Sequence, residues 1–232
     1  MSDVTIIGGT GQQGYGLALR WALAGRSVTI GSRDAERALS AADRIRKTAL
    51  SIGAPAPDVD GLENAAAAAG APVVVIAVPL AAQIATMKAI KEHIRPGAVV
   101  IDVTVPLATA IGGRASRVLG LPAGSAAEQA AEYAPPRAQV MSAFHFLSAD
   151  LLAEVSPDGP VAVDCDVVAC GGDAVAQDIV RGLAIAIKGA RYVHAGPLAC
   201  SRLVESAAAL LIAINIRHKI RNAGLRISGV VD

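Results

Sequence analysis

Through its first half the chain alternates short, uniformly apolar, β-branched runs with longer stretches whose apolar residues recur at helical spacing. VTIIG from Val4, SVTIGS from Ser27, PVVVIAV from Pro72 and AVVIDVTV from Ala98 read as strands. Runs with no polar alternation suit strands covered on both faces. Between them Leu17, Leu19, Trp21 and Leu23, and then Ile84, Met87 and Ile90, mark helices. This alternation predicts an α/β fold with a doubly wound parallel sheet of the Rossmann kind. After Pro106 the pattern loosens. The glycine-rich IGGRASRVLGLPAG leads into SAAEQAAEY, where Ser125 and Glu128 stand at capping-box spacing and predict a helix start. AQVMSAF and PVAVDCDVVAC read as strands, followed by a helix from about Asp173 to Ile187 and a long one from about Pro197 to Arg221. A boundary near Asp150 divides the chain into a Rossmann domain, 1–150, and a smaller C-terminal α+β portion, 151–232, expected to pack together because no long linker separates them.

Composition changes this picture at two points. Hydrophobic residues reach 53% and charged ones 18%, an apolar share above that of an ordinary soluble monomer, which suggests a buried subunit interface. The stretch LVESAAALLIAINI, Leu203 to Ile216, carries Glu205 and Asn215 and falls short of the roughly 20 apolar residues a bilayer requires. It reads as a buried helix, with no membrane expected. A net charge of +1 and 3% aromatics offer neither a phosphate-tracking surface nor stacking rings, so nucleic acid is not an expected partner. MSDVTIIGG lacks the basic start and apolar core of a secretory signal, and a cytoplasmic location is expected. Cys165, Cys170 and Cys200 form no Cys-x-x-Cys pair and read as buried thiols. His93, His145, His194 and His218 lack metal-ligand spacing, and no metal site is expected.

The chemistry gathers in GGTGQQG, directly after the first strand, where Gly9, Gly11 and Gly14 fit G-x-G-x-x-G. In that context the first glycine permits a tight turn, the second lets a pyrophosphate approach and the third brings helix close to sheet. The helix start then offers N–H groups to phosphate. The second strand ends in Ser32 and Arg33, not in the acid that would bind a free ribose 2′-hydroxyl. A guanidinium fork and a hydroxyl suit a 2′-phosphate, so NADP is expected rather than NAD, with Arg37 one helical turn on and Thr10 in the loop as further contacts. The alternative for the two arginines is an exposed pair of helix-start charges. Val78, Pro79 and Leu80, and Thr104, Val105 and Pro106, follow the third and fourth apolar runs and could wall a nicotinamide, or merely end strands. His145, in SAFHFLSADLL, is the histidine best placed to meet a second ligand; the alternative is a hydrogen-bonded structural histidine. No acid, base or nucleophile constellation is evident, so no catalytic side chain is assigned and the chemistry is expected to be carried by cofactors.

IIGGTGQQGYGLALRWALAGRSVTIGSRDAERA, together with VVIDVTVPL, GSAAEQAAEYAP, SAFHFLSADLL, CGGDAVAQDIV, AGPLACSRLVES and NAGLRISGV in that order, resembles the NADP-dependent oxidoreductases of the 8-hydroxy-5-deazaflavin coenzyme F(420) (hereafter F420). The resemblance implies reversible hydride exchange between C4 of the nicotinamide and C5 of the deazaflavin, the two rings stacked in one cleft. It also implies that Thr10, Gly11, Gln12 and Gln13 cradle the phosphates, and that Ser32, Arg33 and Arg37 select the 2′-phosphate. Leu80, Ile84, Val105 and Ala149 match nicotinamide-side positions, His145 matches the deazaflavin side, and a homodimer with the last helices between subunits is implied. Phe146, Leu147 and His194 depart from the family pattern. They motivate a second reading, an NADPH-dependent reductase of another flavin-like, pterin-like or carbonyl substrate; the absence of an obligatory acid or base motivates a third, an NADPH-binding sensor without catalysis.

Overall fold

A computed structural model describes residues 3–230. Strands β1 (Val4–Ile7), β2 (Val28–Ser32), β3 (Val59–Glu63), β4 (Val73–Ile76), β5 (Val99–Asp102) and β6 (Gln139–Ser142) pair in parallel, in the spatial order β3-β2-β1-β4-β5-β6. Helices α1 (Gln12–Leu23), α2 (Ala35–Ser51), α3 (Asn64–Ala68), α4 (Leu80–Ile90) and α5 (Ala126–Glu132) connect them. The order reverses beside β1, which opens a crevice at the carboxyl ends of β1 and β4. The C-terminal portion continues the same sheet. After α6 (Ala149–Ala153) and the small hairpin of β7 (Val155–Ser156) and β8 (Gly159–Pro160), β9 (Cys165–Gly171) joins β6 antiparallel. Helix α7 (Ala174–Ile185) then leads to β10 (Ala190–His194), parallel to β9 at the sheet's edge, and α8 (Ser201–His218) follows.

The uniform apolarity of the early strands is explained by two cores, one on each face. Side chains alternate across a strand: Val73, Val75, Val99 and Ile101 enter one core with Leu17, Trp21 and Ile45, whereas Val74, Ile76 and Val100 enter the other with Met87 and Ile90. Besides the two-residue strands of the small hairpin, two strands of the main sheet escaped the sequence pattern. In VDGLE (β3) only Val59 and Gly61 are buried, and Gly61 is there because a Cβ would stand 2.3 Å from the α2 backbone at Ala38. ARYVH (β10) is a half-buried edge strand. The expected boundary near Asp150 falls inside α6. Cys165 and Cys170 are buried, but Cys200 is only partly so, at a turn of 3-10 helix before α8. Counted with that turn, the last helix runs Leu198–His218, within the expected span of about Pro197 to Arg221, and is, by length and composition, long enough to cross a membrane; about a third of its apolar window is buried, on the face that carries Val204, Glu205 and Ala208.

Candidate active site

The turn from β1 into α1 is made of glycines for separate reasons. The left-handed backbone falls at Gly8 (φ 83°), one residue before the motif, where a Cβ would meet the Ala77 carbonyl at 2.5 Å. Gly9, expected to make the tight turn, is instead confined by Ile30 and the Ile6 carbonyl, both 3.0 Å from its would-be Cβ. Gly14 lets α1 lie on the loop, since a Cβ would come within 2.7 Å of the Gly8 carbonyl. Gly11 is the N-cap of α1, without a side-chain cap and without an acid in the first turn. By contrast Asp34, Glu63, Ser125, Ser148 and Asp173 cap α2, α3, α5, α6 and α7 with side-chain oxygens. The first-turn amides of α1, those of Gln12, Gln13 and Gly14, therefore suit an anion.

Beside this loop lies a cavity of about 200 Å³ where Thr10, Gly11, Ser32, Arg33 and Arg37 meet. Ser32 is buried at the end of β2, and its Oγ accepts from the Asp34 amide at 3.3 Å. Asp34 is turned into its own helix, where Oδ1 accepts from the Glu36 and Arg37 amides at 2.9 and 3.3 Å. The exposed Arg33 and Arg37 form no ion pair among the described residues. Asn64, at the start of α3, lines the same cavity, and its Oδ1 is buried without a hydrogen-bond partner. Val78 and Pro79 form part of the opposite wall.

A second cavity, about 380 Å³, begins on the other side of the loop. Gln12 and Gln13 line it together with Val105, His145 to Asp150, Ala208 and Leu211 of α8, and Arg221 and Ala223 beyond α8. His145 and Ala149 thus share a wall with Val105. Leu80 meets Val105 in a smaller hollow alongside. Ile84, a turn further along α4, is half-buried and lines none of the three. Both ring nitrogens of His145 are buried and neither has a hydrogen-bond partner. Burial pushes its pKa down to about 4, opposed only by the Thr104 backbone nearby, so the ring is neutral at pH 7. The preceding Phe144 holds φ at 68°, a region costly for a non-glycine residue. Gln13 Nε2 donates to its carbonyl at 3.2 Å, and its ring meets Trp21 edge-on at 5.4 Å between centroids.

Two cavities with a glycine loop between them describe a place for two ligands; relatives say which kind. A sequence model of the family described as "NADP oxidoreductase coenzyme F420-dependent" matches residues 3–106. The F420-dependent NADP reductase of Methanothermobacter thermautotrophicus is 44% identical over 230 residues, covering 99% of this chain and 96% of that protein. The chain belongs to the F420-dependent NADP reductase family. The Methanocaldococcus jannaschii member is 39% identical over 227 residues, covering 98% of both chains. A crystal structure from Arthrobacter sp. FB24, provisionally described as an F420-dependent NADP reductase, is 26% identical with a TM-score of 0.77, covering 98% of this chain and all of that one.

Within this family fold, several features had no signal in the sequence. Arg221 and Ala223 reach the second cavity because the segment after α8 folds back: the Ala223 amide donates to Asn215 Oδ1 at 3.0 Å, and Ser148 Oγ donates to Asn222 Oδ1 at 2.7 Å. Farther along, Asp166 accepts from Arg191 at 2.9 Å, Arg226 at 3.0 Å and the Ile227 amide at 2.7 Å. Desolvation pushes the Asp166 carboxyl up, but these partners outweigh it and hold it below its ordinary value. A buried acid pair lies behind the cleft. Asp102, ending β5, accepts through Oδ1 from Gln83 at 2.8 Å and Thr104 at 2.9 Å, while Oδ2 has no hydrogen-bond partner; burial pushes it up to about 7. Glu205 of α8 accepts from the Ala126 and Ala127 amides at 2.9 and 3.1 Å, and burial, with the Asp102 and Glu128 charges adding, pushes it up to about 8 against those two bonds. His194, one of the family departures, sits at the far edge of the sheet with Nε2 3.1 Å from the Gly171 carbonyl, and lines a different cavity. Phe146 and Leu147 are largely packed into the core.

Proposed function

We propose that this chain exchanges a hydride reversibly between NADP(H) and the deazaflavin coenzyme F420, holding the two rings against one another where the glycine loop separates the two cavities. The nicotinamide supplies or accepts the hydride at C4 and the deazaflavin at C5. The observation that carries the reading is that the glycine loop and the first turn of α1, continuous in the chain, line one cavity each: Thr10 and Gly11 with Ser32, Arg33 and Arg37 on one side, Gln12 and Gln13 with His145 on the other.

In this reading the protein's own work is positional. Gly9, Thr10, Gly11, Gln12, Gln13 and Gly14 hold the pyrophosphate on the start of α1. Ser32, Arg33 and Arg37 hold the 2′-phosphate, while Asp34, which lines the same cavity, is engaged through Oδ1 as the cap of α2. Asn64 offers its unpaired carbonyl oxygen to the adenosine end. Val105 and Ala149, with Leu80 and Ile84 behind, exclude water from the nicotinamide side, and the neutral His145 faces the deazaflavin. Holding two rings in contact converts an encounter into a unimolecular step, worth up to about 7–11 kcal/mol in well-oriented systems. No side chain forms a bond. We further propose a division of labour between 1–150, which binds NADP, and 151–232, which completes the second cavity. We also propose a cytoplasmic homodimer joined through α8, where Leu203, Leu210 and Ile216 are exposed although the helix is apolar.

The test is to mix the protein with NADPH and oxidised deazaflavin and follow the loss of deazaflavin absorbance. Turnover is expected. Binding of NADPH with no loss of that absorbance, but turnover with a flavin or carbonyl panel, would replace this reading with a different acceptor.

A further inference from the structure

Helix α1 does more than receive phosphates. Arg20, two turns into it, is almost wholly buried, yet none of its hydrogen bonds goes to a carboxylate. Its guanidinium donates instead to main-chain carbonyls at the end of α6 and just beyond: Leu152 at 2.7 Å, Leu151, Glu154 at 3.3 Å, and Val161 in the segment after the small hairpin. Leu151 and Leu152 lie in the last turn of this five-residue helix, at its negative dipole end, where the Leu151 carbonyl also accepts from the Glu154 amide at 3.2 Å. Desolvation lowers the arginine's pKa, opposed by the Glu154 charge, but a guanidinium stays protonated under such conditions. One turn earlier on the same face, Gly16 brings α1 against α6 so closely that a Cβ would lie 2.6 Å from Leu152 Cβ.

At its other end α1 holds the opposite side of the same segment, through Gln13 to the Phe144 carbonyl. Residues 144–153, which carry His145, Ser148, Ala149 and Asp150 into the second cavity, are thus gripped at both ends by the helix whose N-cap, Gly11, lines the first cavity and whose first turn lines the second. We infer that Gly16 and Arg20 are positioning residues for hydride transfer: they fix the second-ligand wall to the nucleotide-binding helix and so set the separation of the two rings. The inference rests on the function proposed above. A close-packed contact transmits a displacement of one methyl group directly, because a packed interface has no slack to absorb it.

The experiment compares wild type, Gly16→Ala, Arg20→Met and Arg20→Lys. It uses NADPH affinity by fluorescence, single-turnover transfer from NADPH and from its C4-deuterated form, and amide hydrogen exchange. For Gly16→Ala we expect NADPH affinity to change by less than about threefold while transfer slows about tenfold or more, since misplacement of about 1 Å can cost about 100-fold. Its isotope effect should become more temperature-dependent, and amides 147–154 should exchange faster while α1 keeps its protection. Arg20→Lys should recover part of what Arg20→Met loses; if Arg20→Met does not fold, Gly16→Ala decides. Unchanged transfer and exchange in Gly16→Ala would overturn the inference, as would loss of NADPH affinity in proportion to rate. A wild-type protein that transfers no hydride defeats the function alone, and the exchange measurement still decides whether α1 holds the wall.

Discussion

At the residue scale, the proposed selection of NADP rests on Arg33. A charge pair at about 4 Å with an effective dielectric near 20 is worth about 4 kcal/mol before desolvation, and what survives at an exposed site is smaller. Arg33→Asp should therefore weaken NADPH by about 10- to 100-fold and NADH by less than about threefold, measured as dissociation constants. Equal weakening of both would remove the 2′-phosphate from position 33. That Arg33 lines the cavity beside the glycine loop was legible in the sequence, because an acid was missing from a fixed offset in a known geometry. Asn64 was not: nothing in NAAAA distinguishes a cap-proximal asparagine from one whose carbonyl oxygen is left unpaired against a cavity wall. Phe144 was equally hidden, since aromatic residues give no sign of a positive φ.

At the element scale, α1 is built around the closeness that Gly14 allows. A branched side chain there would collide with backbone at Gly8 and Gly9, both under 3.0 Å from a Cβ, and overpacking of this kind costs about 1–3 kcal/mol. Gly14→Val should lower Tm by about 2–10 °C and weaken NADPH and NADH alike, separating it from the Arg33 variant. Equal affinities in variant and wild type would mean that the loop does not carry the pyrophosphate. Elements with continuous apolar runs, such as β1 and β4, were readable because both faces are buried. β3 and β10 were not, because an edge position asks for little apolarity and a neighbouring helix supplies the rest. The folded-back segment 219–230 had no periodic signal, since ion pairs to Asp166 and side-chain bonds from Asn215 and Ser148 hold it.

For the whole molecule, the buried acids predict an unusual pH response. Asp102 moves from an ordinary 3.8 to about 7 on folding, and Glu205 from 4.5 to about 8. Each holds its proton more tightly when folded, so stability falls as pH rises from the ordinary values through the raised ones, between about pH 4 and pH 8. Asp102→Asn should flatten that slope and raise Tm above wild type at pH 8 in melts taken at pH 5, 6.5 and 8; parallel curves would contradict it. The proposed dimer makes a separate prediction. Sedimentation should give twice the 23.4 kDa of the chain, and Leu210→Glu, on the exposed face of α8, should give the monomer; a monomeric wild type would contradict it. The architecture was legible at this scale because strand and helix alternate, whereas the joining of β9 and β10 to the same sheet depends on an antiparallel pairing that no local pattern encodes.

The central claim is that the two rings meet and the hydride passes directly. With NADPH carrying deuterium at both C4 positions, in ordinary water, the reduced deazaflavin should carry one deuterium at C5 by mass spectrometry. Product carrying only solvent hydrogen at C5, or no product while NADPH remains bound, would contradict it.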